Sequence, residues 1–252
     1  MSDFDRNIAA RGGFADRAAA VDAGLRAYML RVYNYMAAAV ALTGVVAYAT
    51  YSAAVVTNAA GQITGLTPFG QAVFSGPLSI VLLLGTLGLV FFISFRINRL
   101  SFGTAMTLFM VYAALLGVTL SSIFLAYTGA SITRVFFVSA ASFGALSLYG
   151  YTTKTDLSPV GSFMIMGLFG IIIASLVNIF LKSSGLDWAI SIIGILVFAG
   201  LTAYDTQRIK EMYDSMDDDG TLGRKAVMGA LSLYLDFINL FLMLLRVFGD
   251  RR

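Results

Sequence analysis

Residues 77–95 read PLSIVLLLGTLGLVFFISF, an apolar run without a single charged side chain. A helix needs about 20 mostly apolar residues to cross the hydrocarbon core of a bilayer. Similar runs, each bounded by charged or turn residues, recur along the chain. The seven candidate spans are Val32–Ala54, Pro77–Phe95, Gly103–Tyr127, Val135–Thr153, Pro159–Leu181, Trp188–Thr206 and Val227–Phe248. The sequence therefore predicts an all-α, polytopic membrane protein, a bundle of seven transmembrane helices.

The composition supports this class and excludes several others. Of 252 residues, 58% are hydrophobic and only 12% are charged, whereas a soluble domain has about 25% charged residues. The chain contains no cysteine and no histidine, which excludes disulfides, thiolate catalysis and metal sites built on thiolate or imidazole ligands. The net charge of +3 comes from arginines on the loops, so we expect no nucleic-acid partner.

The chain divides into a polar N-terminal segment (1–28), a transmembrane domain (29–249) and a short tail (250–252). The gaps between the spans leave no room for a second domain. The N-terminal 30 residues alternate charges with alanines, a pattern that fits a helix lying on the membrane surface or a disordered segment. No short apolar stretch with a cleavage site precedes the first span, so we expect no signal peptide.

Basic residues are distributed unequally between the two sides of the predicted bundle, and cytoplasmic loops carry the excess of Lys and Arg. Twelve fall on the side of the N-terminus: Arg6, Arg11, Arg17, Arg26, Arg31, Arg96, Arg99, Lys154, Arg208, Lys210, Arg224 and Lys225. Five fall on the other side: Arg134, Lys182, Arg246, Arg251 and Arg252. We therefore expect a cytoplasmic N-terminus and, because the span number is odd, an external C-terminus.

Two acidic residues, Asp205 and Asp236, fall inside the candidate spans, where an ionisable side chain is expensive to bury and commonly functional. Asp205 lies about 4.5 Å inside Arg208, and Asp236 lies about 16 Å along its helix from Lys225, at the helical rise per residue. The two meet only if span seven starts late, or if the helix of span six extends past Arg208. The sequence leaves both possibilities open.

Each aspartate has polar neighbours on its own helix. Arg208 follows Asp205 at i+3, and Asn239 follows Asp236 at i+3, spacings that place side chains on one helix face. Two close carboxyl groups cannot both ionise cheaply, so the pair would share one proton and sense pH. Once deprotonated it would offer the hard oxygen ligands that Ca²⁺ prefers. The alternative is that each aspartate is a structural hydrogen-bonding anchor between helices.

Several glycines in the spans bear on how closely the helices approach. Small residues allow close contact between transmembrane helices. We expect Gly85, Gly88, Gly194 and Gly200 to serve this purpose.

Two motifs surround these aspartates. Residues 230–241 read ALSLYLDFINLF and are followed by Leu244-Leu245-Arg246; residues 204–209 read YDTQRI. Together they resemble the last two helix signatures of the Bax inhibitor-1 family, and the segment Gly161–Leu181, with Asn178, is also similar. The resemblance covers roughly residues 25–249 and is closest to the bacterial members.

The resemblance implies a bundle with the C-terminal helix central, which acts as a pH-sensitive Ca²⁺ leak in a bacterial inner membrane. It implies that Asp205 and Asp236 form the pH-sensing pair, and that Arg96 can latch onto Asp205. Some members carry a glutamate early in the second helix, and this chain has none in Pro77–Phe95. The partners implied are the lipid bilayer, protons and Ca²⁺ as a permeant or bound ion; no cofactor is implied.

Two other functions compete with the leak. The chain could regulate other membrane proteins, such as a quality-control protease or a stress or death pathway component, with the arginine-rich N-terminal segment as the handle. Paired intramembrane aspartates also activate water in intramembrane proteases. Neither aspartate lies in the Gly-x-Gly-Asp pattern of those enzymes, so we expect that the chain is not an enzyme.

Overall fold

A computed structural model describes the backbone of residues 3–58 and 62–252 and the side chains of 21–58, 62–97 and 99–252. The long helices are α1 (Asp3–Ala54), α3 (Pro77–Arg96), α4 (Phe102–Leu120), α6 (Gly129–Thr152), α7 (Ser158–Leu181), α8 (Ser184–Glu211) and α9 (Asp219–Phe248). The shorter elements are β1 (Val55–Thr57), β2 (Ile63–Leu66), α2 (Pro68–Phe74), α5 (Ile123–Ala126) and a 3₁₀ turn, Ile97–Arg99.

Within the described residues, seven helices are long and apolar enough to cross a membrane. They are Val21–Ala54, Pro77–Arg96, Phe102–Ala126, Gly129–Thr152, Ser158–Leu181, Ser184–Glu211 and Asp219–Phe248. The chain is an all-α, polytopic membrane protein, as its apolar runs predict. Many large apolar side chains, such as Phe95 and Phe180, are exposed on its outer surface, as expected for helices surrounded by lipid.

The helices are longer than the apolar runs. Helix α8 continues to Glu211, past the predicted end at Thr206, and α9 begins at Asp219, ahead of Val227. An apolar run marks the part of a helix that lies in lipid, whereas backbone hydrogen bonding continues into water until a cap or turn ends it. The α8–α9 connection is therefore a short loop at the membrane surface.

Side-chain caps begin several of the helices. The side chains of Thr128, Ser183 and Asp218 accept hydrogen bonds from backbone N–H groups in the first turns of α6, α8 and α9. Pro77 opens α3, where its missing N–H is not needed. Between α1 and α3 the chain also forms an antiparallel hairpin of β1 and β2, which the sequence reading did not predict.

Helix α9 is the most buried of the described spans. In its most apolar 18-residue segment, 72% of the residues are buried inside the protein, compared with 6% in the corresponding segment of α7. It packs on α1, α4, α6 and α8. The hydroxyl of Tyr234 lies 2.7 Å from that of Thr43 on α1. Thr43 also donates to the Ala113 carbonyl of α4 at 2.9 Å. A hydrogen-bonded junction thus ties three helices together inside the apolar core.

The N-terminal segment and the C-terminal tail meet the bundle differently. Helix α1 runs without interruption across the expected boundary at residue 28, and the side chains of residues 1–20 lie outside the described part of the chain. The tail turns back onto the α5–α6 connection. There the Thr128 N–H donates to the Asp250 carbonyl, and the Arg252 N–H donates to the Ala126 carbonyl. Arg134 pairs with the Asp250 carboxylate at 2.8 Å.

Candidate functional site

The two intramembrane aspartates meet at the contact of α8 with α9. Their carboxyl groups are close enough to interact electrostatically, and both face the same cavity. Of the two arrangements that the sequence left open, the helix of span six does extend past Arg208, ending at Glu211. Asp236 can then face Asp205 although it lies deep in its own helix. Gly229 allows the approach, because α9 presents only a hydrogen atom to the side chain of Ile209 there.

Burial differs between the two carboxyl groups. Asp236 is 5% exposed, and Asp205 is half-buried. The Oδ2 atom of Asp236 is buried and has no hydrogen-bond partner among the described residues. Ionised carboxylates only accept hydrogen bonds, so the two carboxyls can bond to each other only when one of them carries a proton. A buried oxygen without a partner is costly, so a proton or a cation at the pair would be stabilising.

The pair lines a cavity of about 570 Å³ between α7, α8 and α9. Arg208 stands at one end of it, on the side of the N-terminus, and Met243 and Ile179 stand towards the other. The walls are mostly aliphatic. The polar groups that reach the cavity are the following: Ser175, Asp205, Arg208, Asp236 and Asn239. Polar groups are thus concentrated at the carboxyl pair, with an apolar passage beyond it.

The arginine next to the pair is Arg208. It lines the same cavity as Asp205 and interacts with that carboxyl electrostatically. Arg96 is exposed at the C-terminus of α3 and is not among the residues that line the cavity. Helix α3 packs on α2 and α4, and it makes no extensive contact with α8. In this structure, therefore, Arg96 and Asp205 are not brought together.

Of the two asparagines singled out in the sequence, only Asn239 lies at the pair. Its amide donates to the Leu235 carbonyl at 2.8 Å, and the side chain faces the cavity. Asn178 lies near the other end of α7, where its Oδ1 accepts from the Ser183 backbone N–H at 3.0 Å. It closes the turn into α8 and makes no contact with the aspartates.

Sequence reasoning missed two residues that hold the α8 end in place. The Gln207 amide donates to the Thr155 carbonyl at 2.9 Å and accepts from the Leu157 N–H at 2.8 Å. Lys210 donates to the Tyr151 carbonyl at 2.9 Å. Both residues follow Asp205 closely, so the polar run after the span was the available signal. These bonds attach the helix end to the α6–α7 loop.

No group of three or more acidic, cysteine or histidine side chains converges anywhere in the described residues. Asp205 and Asp236 are the acidic side chains that face the cavity. Calcium in resident protein sites takes about six to eight oxygen ligands. Two carboxyls, with Asn239 and water, suit weak and transient binding of a cation better than a permanent site.

The fold and this site define an integral membrane protein of seven spans with a carboxyl pair buried between its last two helices. The family model described as inhibitor of apoptosis-promoting Bax1 matches residues 25–252. The chain belongs to this family, the Bax inhibitor-1 family.

Bacterial relatives agree with this assignment. Inner membrane protein YbhL of Escherichia coli (strain K12) is 50% identical over 234 residues, which cover 91% of this chain and 94% of the relative. Uncharacterized protein RP147 of Rickettsia prowazekii is 52% identical over 231 residues, 92% of each chain. A protein of Caulobacter vibrioides is 45% identical over the full length of both chains.

Proposed function

We propose that this protein is a pH-sensitive leak pathway for cations, Ca²⁺ in particular, in a bacterial inner membrane. Its gate is the pair Asp205 and Asp236, and its N-terminus is cytoplasmic. The observation that carries the proposal is the placement of these two neighbouring carboxyl groups on a cavity of about 570 Å³ within the membrane-spanning bundle. The name of the Escherichia coli relative supports the choice of membrane.

The chemistry of the pair supports a switch between two states. With one shared proton, the two carboxyls attract each other and hold α8 against α9. Without it, two carboxylates in a medium of low dielectric repel each other. The repulsion is relieved by separation, by Arg208 or by a cation. The arrangement therefore couples the protonation of two side chains to the spacing of two helices and to cation binding.

The test is Ca²⁺ flux into proteoliposomes between about pH 5 and pH 8, a range in which a chain without histidine has no side chain with an ordinary pKa. We expect pH-dependent flux for the wild type and a flat response for Asp205→Asn and Asp236→Asn, because asparagine cannot exchange a proton. Asp187→Asn is the matched control. It alters a carboxylate of the same helix, α8, that is paired with Arg246 at 3.5 Å at the opposite end.

Either of two results contradicts the proposal. Retention of the full pH response in Asp236→Asn would mean that another group senses pH. Wild-type flux no greater than that of empty liposomes would leave the aspartates as structural anchors. The function would then lie in binding other membrane proteins.

A second prediction concerns the arginine of the gate. Because Arg208 lies next to Asp205 and Arg96 does not line the cavity, we expect Arg208→Gln to move the pH of half-maximal flux. Arg99→Gln removes the same charge from the same membrane side and is expected to leave it unchanged. If Arg96→Gln moves the midpoint and Arg208→Gln does not, the latch operates in a different arrangement of α3.

A further inference from the structure

A long groove runs along the seam between α1 and α6. Both helices pack on α9 but make little contact with each other. Near the N-terminal side the groove has a volume of about 660 Å³. Its rims include Leu30 on α1 and Leu148 on α6, which are 52% and 62% exposed. The groove is therefore open sideways, towards the surrounding lipid.

The groove continues towards the other side of the membrane. A second cavity of about 350 Å³ shares Tyr33 and Phe143 with the first and extends to Val40. From Arg26 to Val40, helix α1 advances about 21 Å. One leaflet contributes about 15 Å of hydrocarbon, half the thickness of the bilayer core. The groove therefore has the length of one acyl chain together with its head group.

The polar side chains on the inner wall of the groove need no hydrogen-bond partner from a ligand. The Tyr33 hydroxyl lies 2.7 Å from the Ser147 hydroxyl, which lies 2.9 Å from that of Thr206 on α8. These groups satisfy each other, and the remaining lining is mainly aliphatic and aromatic. An alkyl chain can occupy such a groove without leaving a buried hydrogen-bonding group unpaired.

The end of the groove on the N-terminal side is basic. Arg26 lines it, is exposed, and forms no ion pair within the part of the chain that the structure describes. Lys210 contacts the groove residue Tyr151, with its ammonium group 5.3 Å from the centre of the ring. Basic pockets between transmembrane helices at the cytoplasmic surface bind anionic head groups.

We propose that the α1–α6 groove is a binding site for an anionic phospholipid of the leaflet on the N-terminal side. Its acyl chain lies between Met29 and Phe143, and its phosphate is held at Arg26. At Gly144 the groove is open, since a Cβ built there meets no atom within 4 Å. The site is separate from the carboxyl pair and does not depend on the leak function.

Photo-crosslinking tests the site in the full-length protein. The protein is reconstituted in phosphatidylcholine vesicles that contain either phosphatidylglycerol or phosphatidylcholine with a diazirine on the acyl chain, and the adducts are located by mass spectrometry. We expect adducts on α1 and α6 along the groove. The expected yield is roughly fivefold higher for phosphatidylglycerol, the preference that one basic contact confers.

Two variants test the contributions of the acyl chain and of the head group to binding separately. Gly144→Leu fills the groove and should remove the adducts of both lipids, whereas Gly85→Leu, at a glycine of α3 that also faces open space, should not. Arg26→Gln should abolish the preference for phosphatidylglycerol and keep the adducts. Arg31→Gln removes the same charge from α1 at an exposed position outside the groove and should keep both.

Several results would overturn the proposal. Equal wild-type yields for the two lipids would exclude an anionic site. Adducts that survive Gly144→Leu would place the lipid elsewhere. Crosslinks between two copies of the chain across α1 and α6 would show that a protein helix covers the groove. Because Ca²⁺ flux is not the readout, failure here leaves the leak proposal untouched.

Discussion

A carboxyl group inside a membrane is costly unless it has a partner, and Asp236 has an ionisable neighbour, Asp205, on the adjacent helix. The Oδ2 atom of Asp236 is buried without a hydrogen-bond partner among the described residues, so a proton shared with Asp205 would satisfy it. The side-chain amide of Asn239, one turn further along α9, donates to the Leu235 carbonyl of the same helix. It does not compete with the aspartates for a proton. At the scale of single residues, the proposed proton-sensing gate therefore depends on both members of the pair.

Asp218 provides a prediction for a carboxylate outside the spans. It caps α9, and hydrogen bonds donated by the hydroxyl and backbone N–H of Thr221 hold the pKa of Asp218 below its ordinary value of 3.8. Because the pKa is lowered in the folded protein, the ionised cap stabilises the fold at any pH above the ordinary pKa of aspartate. This stabilisation is lost as the pH falls through the folded-state pKa. We expect Asp218→Ala to lower the thermal unfolding midpoint in detergent at pH 7.

Asp218→Asn is the matched control, because asparagine also caps helices but does not titrate. It should keep most of the stability at pH 7 and lose the part of the acid sensitivity that comes from this cap. Equal midpoints for the wild type and Asp218→Ala at pH 7 would show that the cap adds nothing to α9.

At the scale of elements, close helix contacts depend on particular glycines. A Cβ at Gly194 would meet Met243 of α9, and one at Gly200 would meet Met164 of α7, so the packing role expected for these two is confirmed. The same expectation was wrong for Gly85 and Gly88, which face open space. Both lie on α3, of which only 11% is buried.

Gly150 is the sharpest test of this packing. A Cβ there would collide with the Ala203 backbone of α8, and backbone cannot move aside as a flexible side chain can. We expect Gly150→Ala to destabilise the protein by about 1–3 kcal/mol, the usual cost of overpacking, measured by thermal unfolding in detergent. Gly144→Ala, on the same helix in open space, gains the same helix propensity without the clash.

The two alanine variants should therefore differ in sign. Gly144→Ala is expected to be neutral or slightly stabilising, because glycine in a helix costs about 0.5–1 kcal/mol relative to alanine. A Gly150→Ala protein as stable as Gly144→Ala would mean that α6 and α8 are not held in contact at that point.

At the scale of the whole molecule, seven spans place the two chain ends on opposite sides of the membrane. The hairpin of β1 and β2 and the tail at Asp250 lie on one side, and the α8–α9 loop lies on the other. The excess of basic residues on the second side predicts that this side is cytoplasmic. The cytoplasmic side then carries both Arg208 of the carboxyl site and Arg26 of the groove.

The absence of cysteine makes this orientation simple to test with single introduced thiols. Met216 in the α8–α9 loop is 88% exposed and Val56 in the hairpin is 47% exposed. In intact spheroplasts, a membrane-impermeant maleimide should label Val56→Cys and should label Met216→Cys only after permeabilisation. The reverse pattern would invert the orientation.

Much of the site could be predicted from the sequence, since an acidic residue in an apolar run is conspicuous. Asp205 and Asp236 were identified in this way, and Arg208 and Asn239 followed from helical spacing. The expected proximity of Arg96 to Asp205 rested on the family resemblance alone, and this structure places Arg96 on an exposed helix end. Asn178 was likewise named through the family resemblance, and its partner lies in a turn.

Apolar run length and the cost of charge in lipid were enough to predict the class of protein, the number of spans and the two intramembrane carboxyl groups. The tertiary contacts alone reveal that the two carboxyls face the same cavity, that Arg208 is their charged neighbour, and that α1 and α6 leave a groove between them. Each of these depends on how far a helix extends and where its neighbour crosses it. Such distances arise from packing between segments far apart in the chain, which no local pattern specifies.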